Sequence, residues 1–175
     1  MATAAPGFLV LDACVLIDYS STDKSILALI SQHVGRVHVP RQLLEEVKAL
    51  DKIECDRLGL RVFEPELELL NAAGRHRSGL SFEDRICLLV AKRSGWTCVT
   101  SDKKLRRECV AERVPVLWGL EPMIALVRSG HLAVAEAKKA ALRIQRGNPL
   151  FITDAVIEKF IRRIETARRA VAGRR

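Results

Sequence analysis

Four carboxylates stand where they could do chemistry: Asp12, Glu46, Asp84 and Asp102. Asp12 interrupts the apolar run from Phe8 to Ile17, and a carboxylate buried in such a run is costly unless something pairs with it. Asp102 follows the apolar stretch Trp96-Thr97-Cys98-Val99-Thr100 and Ser101. The ordinary reading of either Asp is a helix N-cap. Ser101 can cap the same helix, which frees Asp102. Around Glu46, residues Leu43, Val47 and Leu50 form an i, i+4, i+7 stripe; at about 100° per residue Glu46 falls on it and Glu45 opposite. The alternative for Glu46 is a place at the margin of the stripe, reaching water. Asp84 belongs to Ser81-Phe82-Glu83-Asp84, an S-x-x-D start that also reads as a capping box. Position alone does not separate Asp84 from Glu83. The polar stripe of that helix is marked by Arg85 and Lys92, and Asp84 lies off it, toward Leu88 and Ala91.

Carboxylates gathered in one pocket repel until a proton or a cation enters. A hard divalent cation, Mg²⁺ or Mn²⁺, takes oxygen ligands and leaves room for substrate phosphate. Two such ions can hold the attacking and leaving oxygens of a phosphoryl transfer. A metal-dependent phosphodiesterase needs this residue set.

The charge balance fits that chemistry. The 175 residues carry 29 Lys and Arg against 21 Asp and Glu, a formal net charge of +8. Such a balance points to a polyanionic partner. Five cysteines, Cys14, Cys55, Cys87, Cys98 and Cys109, are odd in number and have no C-x-x-C spacing. That argues for a reducing compartment and against a zinc site or disulfide framework. No apolar run reaches the roughly 20 residues of a membrane span, and the N-terminus makes a poor signal peptide. A cytoplasmic protein with no membrane partner is expected.

The elements that must position the carboxylates follow from periodicity and punctuation. Strands are expected at residues 8–11, 37–39, 60–63, 96–100 and 114–118. Helices are expected at 13–19, after the cap chemistry of 20–23, at 41–51, near 67–72, from Ser81 to Gly95, after Asp102, at 119–127, 131–145 and 151–167. Residues 71–80 read as a loop and 168–175 as a frayed basic tail. Alternating strands and helices imply crossover units on a mostly parallel four- to five-stranded sheet, covered on both faces as an α/β/α sandwich. Residues 1–130 form the α/β domain, and 131–175 a basic helical extension. Ligands of such sheets bind beyond the carboxyl ends of the strands, where Asp12 and Asp102 both fall.

Several segments together resemble the PIN-domain proteins, in particular the VapC-like toxin ribonucleases of bacterial toxin–antitoxin pairs. They are Val10-Leu11-Asp12, Val39-Pro40 through Leu43-Leu44-Glu45-Glu46-Val47, Gly79-Leu80-Ser81-Phe82-Glu83-Asp84 and Val99-Thr100-Ser101-Asp102-Lys103-Lys104-Leu105. The resemblance covers about residues 8–130 and continues weakly through Val114-Pro115-Val116-Leu117-Trp118-Gly119. It implies a PIN-like sandwich and a Mg²⁺- or Mn²⁺-dependent endoribonuclease with Asp12, Glu46, Asp84 and Asp102 as its acidic, metal-holding site. It also implies an antitoxin partner and a homodimer. Thr100 matches the family's strand-end Thr, which could orient a metal-bound water, with Ser101 beside it. Cys14 stands where the family often has Asn or Ser.

Basic side chains flank these motifs. Lys103, Lys104, Arg106 and Arg107 follow Asp102, while Arg75 and Arg77 precede Asp84. They are candidate contacts to an RNA backbone; each also reads as a solvated surface charge. His76 and His131 have no partner at metal-ligand or triad spacing. Two other functions remain open. One is a PIN-like RNA-binding or regulatory module without turnover. The other is an aspartyl phosphatase, which usually wants a second Asp where Cys14 stands.

Overall fold

The computed structural model describes residues 7–75 and 79–172. Five strands, β1 (Gly7–Leu11), β2 (Gly35–Pro40), β3 (Arg61–Phe63), β4 (Thr97–Thr100) and β5 (Val116–Trp118), form one sheet in the order β3-β2-β1-β4-β5. Every pairing is parallel. The chain winds outward from β1 to β3, then crosses to the other side of β1 for β4 and β5. The carboxyl ends of β1 and β4 therefore meet at a topological switch point, the place where open α/β sheets hold ligands.

Helices flank the sheet as expected for an α/β/α sandwich. α1 (Ala13–Thr22) and α2 (Lys24–His33) join β1 to β2. α3 (Lys52–Arg57) precedes β3; α4 (Leu67–Arg75) and α5 (Phe82–Ser94) carry the chain from β3 to β4, and α6 (Lys103–Ala111) joins β4 to β5. α7 (Glu121–Ser129), α8 (Val134–Gly147) and α9 (Asp154–Ala172) follow. Gly95, at φ 68°, caps α5 in the left-handed conformation and turns the chain directly into β4. The core is aliphatic. Leu9, Leu11, Leu16, Val37, Val99 and Met123 lie in one buried cluster that also takes Ala141, Ile157, Phe160 and Ile164 from α8 and α9. Pro115 sits ahead of β5, an edge strand, with its carbonyl accepting from Cys98 N at 2.8 Å. All five cysteines are free thiols.

Three expectations need correction. The helix at 41–51 is a 3-10 turn over Arg41–Glu45 followed by irregular turns to Leu50. Leu43, Val47 and Leu50 still reach the core, but Asp51 then caps a new helix, α3, by accepting from Glu54 N at 2.7 Å. A residue that caps so well favours a break over continuation. The loop beginning at 71 is helical through Arg75, because Ala73 packs with Leu69 against Ile86 and Val90. The frayed tail is helix as far as Ala172, extending a face on which Ile164 and Ala167 are buried.

Candidate active site at the sheet switch point

Asp12 ends β1 and caps α1. Its backbone N–H donates to Val99 O on β4 at 3.1 Å, tying the two strands together at the site. Its side chain is 1% exposed, with Oδ1 accepting from Val15 N at 2.7 Å. Thr100, fully buried at the end of β4, accepts from Asp102 N at 2.9 Å and donates its hydroxyl to Asp12 Oδ2 at 2.5 Å. The Asp102 N–H fixes the hydroxyl as its acceptor, so the single hydroxyl proton goes to Asp12. Burial pushes the Asp12 carboxyl up to about 7, against the lowering effect of the Thr100 and Val15 bonds, with Asp84 and Asp18 adding repulsion.

Asp102, not Ser101, caps α6. Its Oδ1 accepts from Lys104 N at 2.5 Å and Leu105 N at 3.2 Å, leaving Oδ2 with no hydrogen bond among the described residues. Ser101 is buried instead, facing Gly119 so closely that a Cβ there would collide with its Oγ. Asp84 is half-buried and sits in the capping box: Ser81 Oγ accepts from Asp84 N at 3.0 Å. Burial raises its carboxyl above the usual range, and Asp102 and Glu83 add to the shift while Ser81 opposes it.

Glu46 is exposed rather than buried, because the chain around it is not a regular helix. It nevertheless faces the same region. Its carboxyl is raised by partial desolvation, by repulsion and a hydrogen bond with Glu83, and by Asp84. The four expected acids thus lie within one another's fields: Asp12 with Asp84, Asp84 with Asp102, Glu46 with Asp84. The capping roles of Asp12, Asp84 and Asp102 are real as well; caps and site coincide because the helices start where the strands end.

Two carboxylates were missed as partners. Glu83, undecided beside Asp84, links Glu46 to the cluster. Asp18 is pushed up to about 6 by burial, with Asn148 Nδ2 holding both its oxygens at 3.2 Å. Its partner is 130 positions away, so no local pattern could announce it. Cys14 also lies at the site; burial first, then Asp12, Asp84 and other carboxylates, push its thiol up to about 12, so it stays neutral. Arg85 is not the solvated charge its helix position suggested. It is half-buried, with Nη1 donating to Leu80 O at 2.9 Å and Nε buried without a partner among the described residues.

Lys103 and Lys104 are exposed in the first turn of α6, beside Asp102, and Arg75 is exposed at the end of α4. Arg106, one turn on, stacks over Trp118 at 3.9 Å. Arg77 and His76 lie outside the described residues. His131 binds Ser129 Oγ through Nδ1 at 2.9 Å and stacks on His33, away from the acids.

The donor set is carboxylate, and burial keeps the nearby thiols of Cys14 and Cys87 neutral. That chemistry fits a hard cation and not zinc. Among the described residues no three His, Cys, Asp or Glu side chains close on a point as a metal cage would. Mg²⁺ does not require one, since it keeps several waters and is commonly held by one or two carboxylates. No helix among the described residues is long and apolar enough to cross a membrane. Comparison of the chain with protein-family models, curated proteins and solved structures returns no match.

Proposed function

We propose that the protein is a Mg²⁺- or Mn²⁺-dependent endoribonuclease of the PIN type, acting as the toxin of a toxin–antitoxin pair. The observation that carries the nuclease reading is Asp12. A carboxylate buried at the switch point, with its ionised form disfavoured by burial and by Asp84, is a poor choice for stability alone and a sound one for holding a cation. The toxin reading, with a small antitoxin partner and a homodimer, rests on the sequence resemblance.

The side chains divide the work. Thr100 and the Val15 N–H fix the Asp12 carboxylate in one orientation, each occupying one lone pair of one oxygen. Asp102 presents Oδ2, while Asp84 and Glu46 form the outer side of the acid cluster. When bound, the cation supplies Lewis-acid chemistry: activation of the attacking water and neutralisation of charge on the phosphate. Lys103, Lys104 and Arg75 attract the RNA backbone toward the carboxylates, whose own charge would otherwise repel it. Hydrolysis leaves 3′-hydroxyl and 5′-phosphate ends.

One observation favours a second reading, an RNA-binding module without turnover. Asp12 and Asp102 have structural work as caps, Asp84 lies in the first turn capped by Ser81, and a neutral Cys14 lies among them. Cleavage of RNA with Mg²⁺ or Mn²⁺, with and without chelator, separates the two. The nuclease reading expects metal-dependent cleavage by wild type and none by Asp12→Asn. Equal cleavage by both proteins overturns the metal mechanism, and salt-sensitive binding with no cleavage supports the second reading. Growth arrest on expression, relieved by Asp12→Asn, tests the toxin role.

A further inference from the structure

The chain has five Phe, two Trp and one Tyr, and its core is aliphatic. Three of those eight rings, with a histidine, gather on one face of the sheet. Phe8 and His38 approach to 5.3 Å between ring centroids, Phe8 and Trp96 to 5.9 Å, His38 and Trp96 to 4.3 Å, and Phe63 and Trp96 to 5.7 Å. Register explains the gathering. Phe8 pairs with Arg36, Val10 with His38, and His38 with Arg61, so Phe8, Arg36, His38 and Arg61 project from one face of β1, β2 and β3. Trp96 enters the same group from the turn made by Gly95 at the end of α5. Since Asp84 is in the first turn of α5 and Trp96 follows its last, the helix separates the rings from the acids.

Part of this face is covered, since Phe63 and Trp96 pack against Leu69, Ala73, Ile86 and Val90 of α4 and α5, but its rim is open. Phe8 is 48% exposed, Trp96, His38 and Phe63 are half-buried, and Arg36 and Arg61 are exposed. Neither arginine has a carboxylate partner among the described residues. The acids at the margin are already engaged: Glu64 accepts from Gln42 Nε2 at 2.7 Å, and Glu66 pairs with Arg93 at 2.8 Å. Burial first, and then the charges of Arg36 and Arg61, hold His38 below the usual histidine range, against the raising effect of its Nδ1 contact with Arg36 O at 3.1 Å.

The geometry points to a second binding surface, made by Phe8, His38 and Trp96 with Arg36 and Arg61, that takes single-stranded nucleic acid. Rings interleaved with unpaired arginines match what such a strand offers: π-faces on its bases and a charge on every phosphate. A stacking surface discriminates against duplex, whose bases are already stacked. Stacking is tolerant of sequence, because every base has a π-face. This inference does not rest on the nuclease reading, since it needs neither the acids nor a cation.

Binding of fluorescein-labelled oligo(dT) and oligo(U) in EDTA, followed by anisotropy, tests it, with a labelled DNA duplex as control. Oligo(dT) has no 2′-hydroxyl, and EDTA removes metal, so loss of cleavage leaves this assay untouched. Phe8→Ala is expected to weaken both oligonucleotides about tenfold. Arg36→Gln with Arg61→Gln is expected to reduce the slope of log affinity against log salt by about 0.7 for each arginine. Quenching of tryptophan fluorescence should disappear in Trp96→Phe and persist in Trp118→Phe. Unchanged affinity and slope in these variants overturns the proposal. So does a shift of Phe8→Ala from dimer to monomer in sedimentation with oligonucleotide affinity unchanged, which would give the face to a second copy of the chain.

Discussion

Thr100 lies 88 positions from Asp12 and is its hydrogen-bond donor, so one hydroxyl holds the ends of β1 and β4 in a fixed relation. Because the same oxygen accepts from Asp102 N, removing it strands two buried groups at once. Thr100→Val is expected to cost about 1–3 kcal/mol in urea unfolding, the range for a buried polar group left unpaired. RNA cleavage should fall with it. Thr100→Ser keeps the oxygen and should stay near wild type in both measurements. A Val variant as stable and active as wild type would remove Thr100 from the site.

Asp12 makes stability depend on pH in an unusual direction. Its folded carboxyl, at about 7, lies above the ordinary 3.8 of the unfolded chain. The folded state therefore binds more protons between those values. Its contribution is fully present below about pH 4 and is lost as pH rises toward 7, by on the order of 4 kcal/mol at most. In EDTA, Asp12→Asn should be more stable than wild type at pH 7.5 and should show a flatter pH profile. Mg²⁺ should raise the wild-type melting temperature more at pH 7.5 than at pH 5 and leave the Asn variant unmoved.

Gly119 offers a mechanical test. A Cβ at this residue would meet Ser101 Oγ and lie 3.0 Å from Val15 Cγ2. Its carbonyl accepts from the Tyr19 hydroxyl at 2.6 Å, which limits how far the backbone can retreat. Gly119→Ala is expected to lose about 1–3 kcal/mol, as overpacking does. Adding Ser101→Ala should recover part of that loss in thermal unfolding, because the two changes share one contact.

Glu45 and Glu46 are adjacent, exposed and chemically identical, and Glu46 feels the charges of Glu83 and Asp84. Glu46→Gln is expected to lower cleavage at least tenfold, and Glu45→Gln to leave it within about twofold. Both should unfold within about 0.5 kcal/mol of wild type, as exposed substitutions do. Equal losses of activity in the two variants would place the acid cluster elsewhere.

The C-terminal helices can be tested by removal. Ala137, Ala141, Ile144, Ile157, Phe160 and Ile164 are buried in the cluster that contains Leu16 and Met123. A chain ending at residue 130 would bare that surface. It should be aggregated or lack a cooperative melting transition, whereas Arg168→Gln and Arg169→Gln, both exposed, should melt as wild type does.

Much of this was legible in the chain. Strand positions followed from apolar runs bounded by Pro40, Gly95 and Pro115, and Ser81 with Gly95 marked both ends of α5. Local hydrogen bonding governs such features, and local sequence reports it. Failures clustered where tertiary demand set the backbone. Leu43, Val47 and Leu50 have helical spacing, but three buried anchors can also be met by tight turns, and Asp51 starts a new helix instead of ending this one. Glu46 was singled out by a helical wheel that does not exist there; what places it near Asp84 is the turn after β2. Asp18 was invisible because its partner Asn148 comes from distant chain, and Arg85 because its guanidinium turns back onto the Leu80 carbonyl instead of out to solvent.

Strand order has one more consequence, for the order of assembly. Asp12 and Glu46 belong to the half of the chain that builds β1, β2 and β3 by neighbour-to-neighbour pairing. Asp84 and Asp102 arrive with β4, which docks beside β1 through Leu9↔Thr97, Val10↔Cys98 and Leu11↔Val99 and the Asp12 bonds to Val99 and Thr100. That pairing spans nearly ninety residues and is the least local in the sheet, so topology makes it the pairing expected to form last. A ribosome that has released only the first three strands exposes two of the four acids and neither lysine of α6. The chain cannot assemble its full acidic constellation until most of it has been synthesised.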